Sequence, residues 1–303
     1  MISKYSLGIG DRFAKEGVAQ LRAFQKALEL GVEITPVWNK SFREHKTVNS
    51  SPDSVREEAE KTVSQLNWQG QYLVDADHIN KDNVDGFIAS SDFFTIDVAK
   101  FIGQRAPKEE VDAFLQWIKR YTDNLLIPGI DKEMFINESI VEKITDIYLF
   151  AAKEAAGIYK YILTKKKGDF VTEVSMDEVE KPQSPLDLFF ILAALSYYKL
   201  PVNTIAPKFT GRFNKGVDYE GKIDQFAKEF EEDILVIKYC VQEFELPKDL
   251  KLSVHTGSDK FSLYPIIGKL IKKHKAGLHL KTAGTTWLEE LVGMAETGGY
   301  PLK

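Results

Sequence analysis

The chain has 303 residues, 44% hydrophobic and 28% charged: enough apolar sequence for a substantial core, and a length that suits one large domain or two small ones. A formal net charge of -5 argues against a general nucleic-acid binder, and the lysine runs at 165–167 and 272–273 fall at helix ends, where cations suit the dipole. The lone cysteine, Cys240, excludes an internal disulfide or a multi-cysteine metal site and reads as a small core residue of an apolar helix.

In chain order, residues 5–8 read as a first strand. A helix follows over 14–30, with Val18, Leu21, Phe24 and Leu28 at helical spacing and Gly31 as its stop. The second strand is expected over 32–38, and Ser51-Pro52 opens the next helix. The third strand covers 71–75, with a short helix near 83–89, and the fourth covers 93–97. A long excursion follows, with helices over about 107–121 and 138–163 joined by a loop containing Pro128-Gly129. A fifth strand lies at 170–176. Ser184-Pro185 caps a helix to about Lys199, and a sixth strand is expected at 203–209. A helix over 223–244 leads to a seventh strand at 251–255, with a helix after Phe261. The eighth strand, 277–281, precedes a helix over 286–295.

Strands alternating with helices imply parallel strands joined by crossovers. Eight such units predict an α/β fold, a closed (β/α)8 TIM barrel, as a single domain over 1–303 with a helical insertion between strands four and five. The alternative is an open doubly wound sheet. It is disfavoured because Gly8-Ile9-Gly10-Asp11 lacks the third glycine of a dinucleotide fingerprint. The longest apolar run, 188–195, is too short to span a bilayer. The N-terminus has no signal-peptide pattern, so the expected location is the cytoplasm.

Barrel active sites lie at the C-terminal ends of the strands. Those ends carry Asp11 and Arg12, Asn39 and Lys40, Asp75, Asp77 and His78, Asp97, Asp177 and Glu178, Lys208, the stretch from His255 to Lys260, and His279 with Lys281. Three of the five histidines are among them. Each residue also has a bland reading: Asp75 and Asp77 could end a strand and cap a helix, Ser258 or Asp259 could cap the seventh helix, and His279 could be a core histidine. Together, imidazoles and carboxylates from different strands suit a divalent ion of the Zn, Mn, Co or Ni type, among which sequence does not choose. Strand alternation places Glu173, Ser175 and Asp177 on one face. If that face is the lumen, Glu173 is a buried carboxylate suited to acid–base work, or the partner of a lumen lysine such as Lys281.

The segments GIGDRF, DADHI, FFTID, EVSMDEVEKPQSP, KFTGRFNKGVDYEG, LSVHTGSDKFSLYP and LHLKTAGTTWLE occur in this order from Gly8 to Glu289. In them the chain resembles the tagaturonate epimerase family, bacterial enzymes that interconvert tagaturonate and fructuronate and look like metal-dependent barrels. The long HTGSDKFSLYP and KGVDYEG segments are specific, whereas FTID alone would mean little. The resemblance implies Asp77 as proton acceptor, Glu173 as proton donor, His78 and His255 as metal ligands, and Lys215 as a substrate contact. A third metal ligand is expected in His279 or a carboxylate such as Asp177. The turn through Ser258, Asp259 and Lys260, with Lys281 and Arg12, is expected to supply an anion site for the sugar acid. Known members run longer at both ends, and their loops after strands one and two differ. The expected activity is metal-dependent epimerisation of a ketouronate or related ketose by two-carboxylate acid–base chemistry. A sugar-phosphate isomerase, epimerase or aldolase, and a non-catalytic sugar-binding barrel, stand as alternatives. The expected partner is a small sugar acid, with no nucleic acid and no membrane, and a homo-oligomer is compatible.

Overall fold

The computed structural model describes residues 2–121, 123–130 and 134–282, with Val292 and Ala295; apart from those two positions, the helix expected over 286–295 lies outside the described residues. Strand β1 (Tyr5–Gly10) leads through α1 (Gly17–Glu29) to β2 (Thr35–Ser41). Helices α2 (Phe42–Val48) and α3 (Asp53–Gln65) precede β3 (Leu73–Ile79), and a single 3-10 turn at Val84–Gly86 carries the chain to β4 (Phe93–Asp97). The insertion consists of α4 (Lys108–Ile118), a hairpin of β5 (Asp123–Leu125) and β6 (Met134–Ile136), and the long α5 (Glu138–Lys165). Then come β7 (Val171–Ser175), α6 (Pro185–Tyr197), β8 (Thr204–Ala206), α7 (Ile223–Glu243), β9 (Lys251–Gly257), α8 (Tyr264–His274) and β10 (Leu278–Thr282).

Eight of these strands are parallel and close into a barrel in the order β1-β2-β3-β4-β7-β8-β9-β10. The ring is sealed where β1 pairs with β10, Ser6 opposite His279 and Gly8 opposite Lys281. Outward-facing residues such as Phe94, Val174 and Ile205 pack beneath the helices. Helix α6 is apolar all round, with residues from Leu188 to Leu195 buried, because it packs between α5 and α7. Among the described residues no helix is long and apolar enough to cross a membrane.

Four local expectations shift for physical reasons. The second strand starts three residues late because Val32 still belongs to the end of α1. Its N–H bonds back to the carbonyl of Ala27 at 2.9 Å, while Gly31 takes a left-handed φ of 76°. The sixth strand shrinks to Thr204–Ala206 because Pro207 has no N–H to continue the ladder. The helix near 83–89 is one 3-10 turn. The loop around Pro128-Gly129 is the tip of the β5–β6 hairpin.

Helix α6 is fixed at its start by a capping box. Ser184 Oγ accepts from the Asp187 N–H at 3.1 Å, and the Asp187 carboxylate accepts from the Ser184 N–H at 2.8 Å. Ser184→Ala should lower unfolding free energy by about 1 kcal/mol in a urea titration, and Ser184→Thr should retain most of it.

Candidate active site

The lumen carries polar chemistry in tiers that rise towards the C-terminal ends of the strands. In the lowest, His279 of β10 is fully buried, its Nδ1 2.9 Å from Ser6 Oγ and its ring 5.0 Å from that of Phe93. Burial, the main influence, pushes its pKa down to about 3 against the pull of the Glu173 charge, so the ring is neutral. Its Nε2 has no hydrogen-bond partner among the described residues.

The middle tier is organised by Lys281. Its ammonium lies 2.7 Å from Asp75 Oδ2, 2.6 Å from Asp77 Oδ1 and 3.7 Å from Glu173 Oε1, and donates to Thr95 Oγ1 at 2.8 Å. Gly8 makes room for this side chain: a Cβ there would stand 3.0 Å from Lys281 Cγ and 2.9 Å from Asn39 Nδ2. Burial is the largest influence on all four groups. It raises the Asp75 pKa to about 6 against the opposing pull of Lys281. For Asp77 it is outweighed by Lys281 and His78, and for Glu173 by His255 and Lys281, so both carboxyls stay below the usual range. The three carboxylates in turn hold Lys281 above the usual lysine value.

The upper tier brings His78, Asp177 and His255 together, with one ligand atom from each mutually within 4.8 Å. His255 Nδ1 is 3.0 Å from Asp177 Oδ2, and its Nε2 is 2.7 Å from Glu173 Oε1. His78 Nδ1 is 2.6 Å from Asp77 Oδ1, which leaves His78 Nε2 buried without a hydrogen-bond partner among the described residues, 3.5 Å from Asp177 Oδ1. Two imidazoles and a carboxylate from three strand ends, with a ring nitrogen left over, fit a divalent ion of the Zn, Mn, Co or Ni type.

A regular strand would send neighbours Asp77 and His78 to opposite faces. Here the β3–β4 register shifts between Ala76 and Ile79, and His78 adopts a left-handed φ of 54°. This irregularity turns both side chains towards the same cavity. That cavity, of about 790 Å³, lies at the barrel mouth. Its lining includes Asp77, His78, Asp177, His255 and Lys281, together with cations from the loops and from α2: Arg12, Arg43, Lys208, Arg212 and Lys215.

Several expected site residues lie elsewhere. Glu173 is 0% exposed and sits beneath the floor, reached through His255 and Lys281. His279 lies in the bottom tier, outside the His78–Asp177–His255 group; the carboxylate of Asp177, not His279, completes that group. Ser258, Asp259 and Lys260 are not among the cavity-lining residues. Lys260 is buried, its ammonium taken by backbone carbonyls, and Asp259 accepts from the Tyr264 hydroxyl at 2.7 Å. Arg12 and Lys215 line the cavity and flank Glu44, at 3.6 and 3.8 Å.

Sequence reading placed Asp75 at a strand end with a capping role and did not foresee its contact with Lys281, whose signal was the two-residue spacing of Asp75 from Asp77 along one strand. It also missed α2, whose signal was the capping pair Ser41 and Glu44.

A family model described as tagaturonate epimerase matches residues 1–298. The chain is 28% identical over 296 residues to a protein of Thermotoga maritima named tagaturonate/fructuronate epimerase, covering 94% of this chain and 58% of that one. The chain thus spans under two thirds of that relative's length. Two crystal structures of fructuronate-tagaturonate epimerase from Cohnella laeviribosi, in complexes with one and two glycerols, superpose with TM-scores of 0.79 and 0.80 at 24% identity. They cover 94% and 98% of this chain, and it covers 58% and 61% of theirs. At that identity the likeness speaks to the fold, and it agrees with the barrel.

Neutral His279 makes stability pH-dependent. Its folded pKa lies below that of the unfolded chain, so its contribution is complete above about pH 6.5 and is lost as pH falls towards 3. Between pH 6.5 and 5, where unfolded aspartates barely titrate, His279→Gln should flatten the fall of urea-unfolding free energy. An unchanged slope would mean that the ring takes up its proton in the folded chain as it does in the unfolded one.

Proposed function

The chain belongs to the tagaturonate epimerase family, and on that footing we propose that it epimerises a ketouronate of the tagaturonate/fructuronate type, with a divalent ion held by His78, Asp177 and His255. The observation that carries the reading is the convergence of those three groups beside Asp77, in a cavity that also presents five cationic side chains from its loops and α2. Cations on the wall suit the carboxylate of a sugar acid.

The two sugars differ at a carbon two bonds from the ketone carbon, where simple enolisation does not reach. One route is retro-aldol cleavage. The hydroxyl at that carbon gives up its proton, its oxygen becomes a carbonyl, the bond to the carbon beside the ketone breaks, and the electron pair ends on the ketone oxygen. Rotation of the aldehyde and re-addition then re-form the bond on the opposite face, and the proton is returned. The other route is direct proton removal from the carbon and return to its other face. Both routes need a proton acceptor at the floor of the cavity.

Asp77 is that acceptor. Lys281 and His78 keep it ionised at neutral pH, and it lies on the cavity side of the lysine. When bound, the ion supplies Lewis-acid polarisation of the ketone and the adjoining hydroxyl, which a weakly basic acceptor requires. Glu173 is the second carboxylate, the proton donor of the pair. His255 and Lys281 hold it ionised at rest, so in this role it must first take up a proton during the reaction before returning one. Arg12, Lys215 and the neighbouring loop cations orient the substrate's carboxylate.

Purified protein supplied with Zn, Mn, Co or Ni should interconvert tagaturonate and fructuronate and leave sugar phosphates unchanged; the reverse selectivity would overturn the reading. His255→Ala should fold yet lose most of its bound metal by elemental analysis, and undiminished metal in folded protein would refute the ligand set. Asp77→Asn and Glu173→Gln should each lower turnover on the order of 10²-fold or more. Near-normal turnover with a lowered Tm would instead make the two carboxylates structural.

A further inference from the structure

The loop over 207–222, between β8 and α7, brings Arg212 and Lys215 to the cavity. Its internal ties include an antiparallel bridge between Arg212 and Glu220, the Tyr219 hydroxyl on the carbonyl of Thr210 at 2.8 Å and Asn214 Nδ2 on Glu220 Oε2 at 3.3 Å, and its aromatic rings pack on Phe226 of α7. Around Lys215 its hold comes from the turn after β9. The Lys260 ammonium donates to the carbonyl of Asn214 at 3.1 Å, and to the carbonyl and Oγ of Ser258, both at 2.9 Å. Ser258 Oγ also accepts from the N–H of Gly216 at 2.9 Å. Further out, the Asp218 carboxylate accepts from the Ser262 N–H at 3.2 Å and its Oγ–H at 2.9 Å.

Both neighbours of Lys215 are therefore fixed, Asn214 through its carbonyl and Gly216 through its N–H. Gly257 completes the seat. At its left-handed φ of 68°, a Cβ would lie 2.9 Å from the Phe213 carbonyl and 3.3 Å from Lys215 Cγ, so the loop rests directly on glycine backbone. A buried ammonium is costly unless its protons find acceptors. Here the loop supplies one acceptor, the Asn214 carbonyl, and the turn supplies the others, so opening the loop takes one hydrogen bond from the buried ammonium. Lys215 then projects across the mouth to within 3.8 Å of Glu44, at the start of α2.

We propose that Lys260 is a positioning residue: it clasps the loop after β8 onto the turn after β9 and so sets where Lys215 meets the anionic end of the substrate. The substrate half of this statement rests on the ketouronate reading; the clasp does not.

The test uses Lys260→Met, Lys215→Met, the double variant and, as a milder lesion, Ser258→Ala, each as the full metal-loaded chain. Limited trypsin digestion reads the clasp alone. Cleavage after Arg212 and Lys215 should be slow in the parent and at least about tenfold faster in Lys260→Met, because proteolysis follows the population of the opened segment. Ser258→Ala should fall between them, and keeps the test alive if Lys260→Met does not fold. Cleavage at the parent rate in the folded variants would overturn the clasp.

Kinetics with a ketouronate read the positioning. Lys260→Met should raise KM more than it lowers kcat, and the double variant should be no worse than Lys215→Met alone. Additive KM effects would overturn the positioning role. If the parent turns over no ketouronate, the substrate assignment falls while the trypsin result still judges the clasp.

Discussion

One ammonium governs the interior of this barrel. Lys281 crosses the lumen over Gly8 and meets carboxylates from β3 and β7 that burial alone would drive towards the neutral form. Removing it would leave Asp75, Asp77 and Glu173 facing one another without a compensating charge, an arrangement that proteins tolerate only by taking up protons. The graded outcome comes from distance and sharing. Asp77 has both Lys281 and His78 and stays ionised, whereas Asp75 faces two other carboxylates and rises to about 6. The ionisation pattern at the floor is thus built into three strands before any substrate arrives.

Above that floor, a local irregularity does what regular strand geometry cannot. The shift in β3 puts Asp77 and His78 on the same side, one resting on the lysine and the other turned to Asp177. A left-handed histidine is an uncommon and strained conformation, and such strain is found where the surrounding structure imposes it. Here His78 Nδ1–H donates to the Asp77 carboxylate, which leaves the buried Nε2 facing Asp177.

Most of the architecture was legible in the sequence because it follows from periodicity. Strand-like runs separated by mostly helical spacing give eight parallel strands, and the strand ends then gather the charged residues at one rim. What periodicity missed was set by hydrogen bonds between segments. Val32 looks like a strand residue by composition, yet its N–H closes α1. Glu173 could be placed in the lumen by alternation, but not beneath the floor, because depth depends on strand stagger. His279 and His255 look alike as strand-end histidines. Only the register, with His279 opposite Ser6 and Lys281 opposite His255, separates a bottom-tier ring from one at the mouth. Lys260 looks like an anion ligand until the carbonyls of a distant loop are seen to occupy it.

The seam between β1 and β10 has a consequence for how the chain reaches its working form. Ser6 and His279 meet across 273 residues, Lys281 and Thr95 across 186, and His255 and Asp177 across 78. Contacts of such sequence separation carry a large loop-closure entropy and slow the approach to the native state. The floor, where Lys281 of β10 meets Asp75, Asp77 and Glu173 of β3 and β7, therefore assembles only when strands far apart in the sequence have come together. Were an ion held above it by the three upper groups, as proposed, its affinity would add by mass action to the free energy of folding, and metal supply would raise the yield of folded chain.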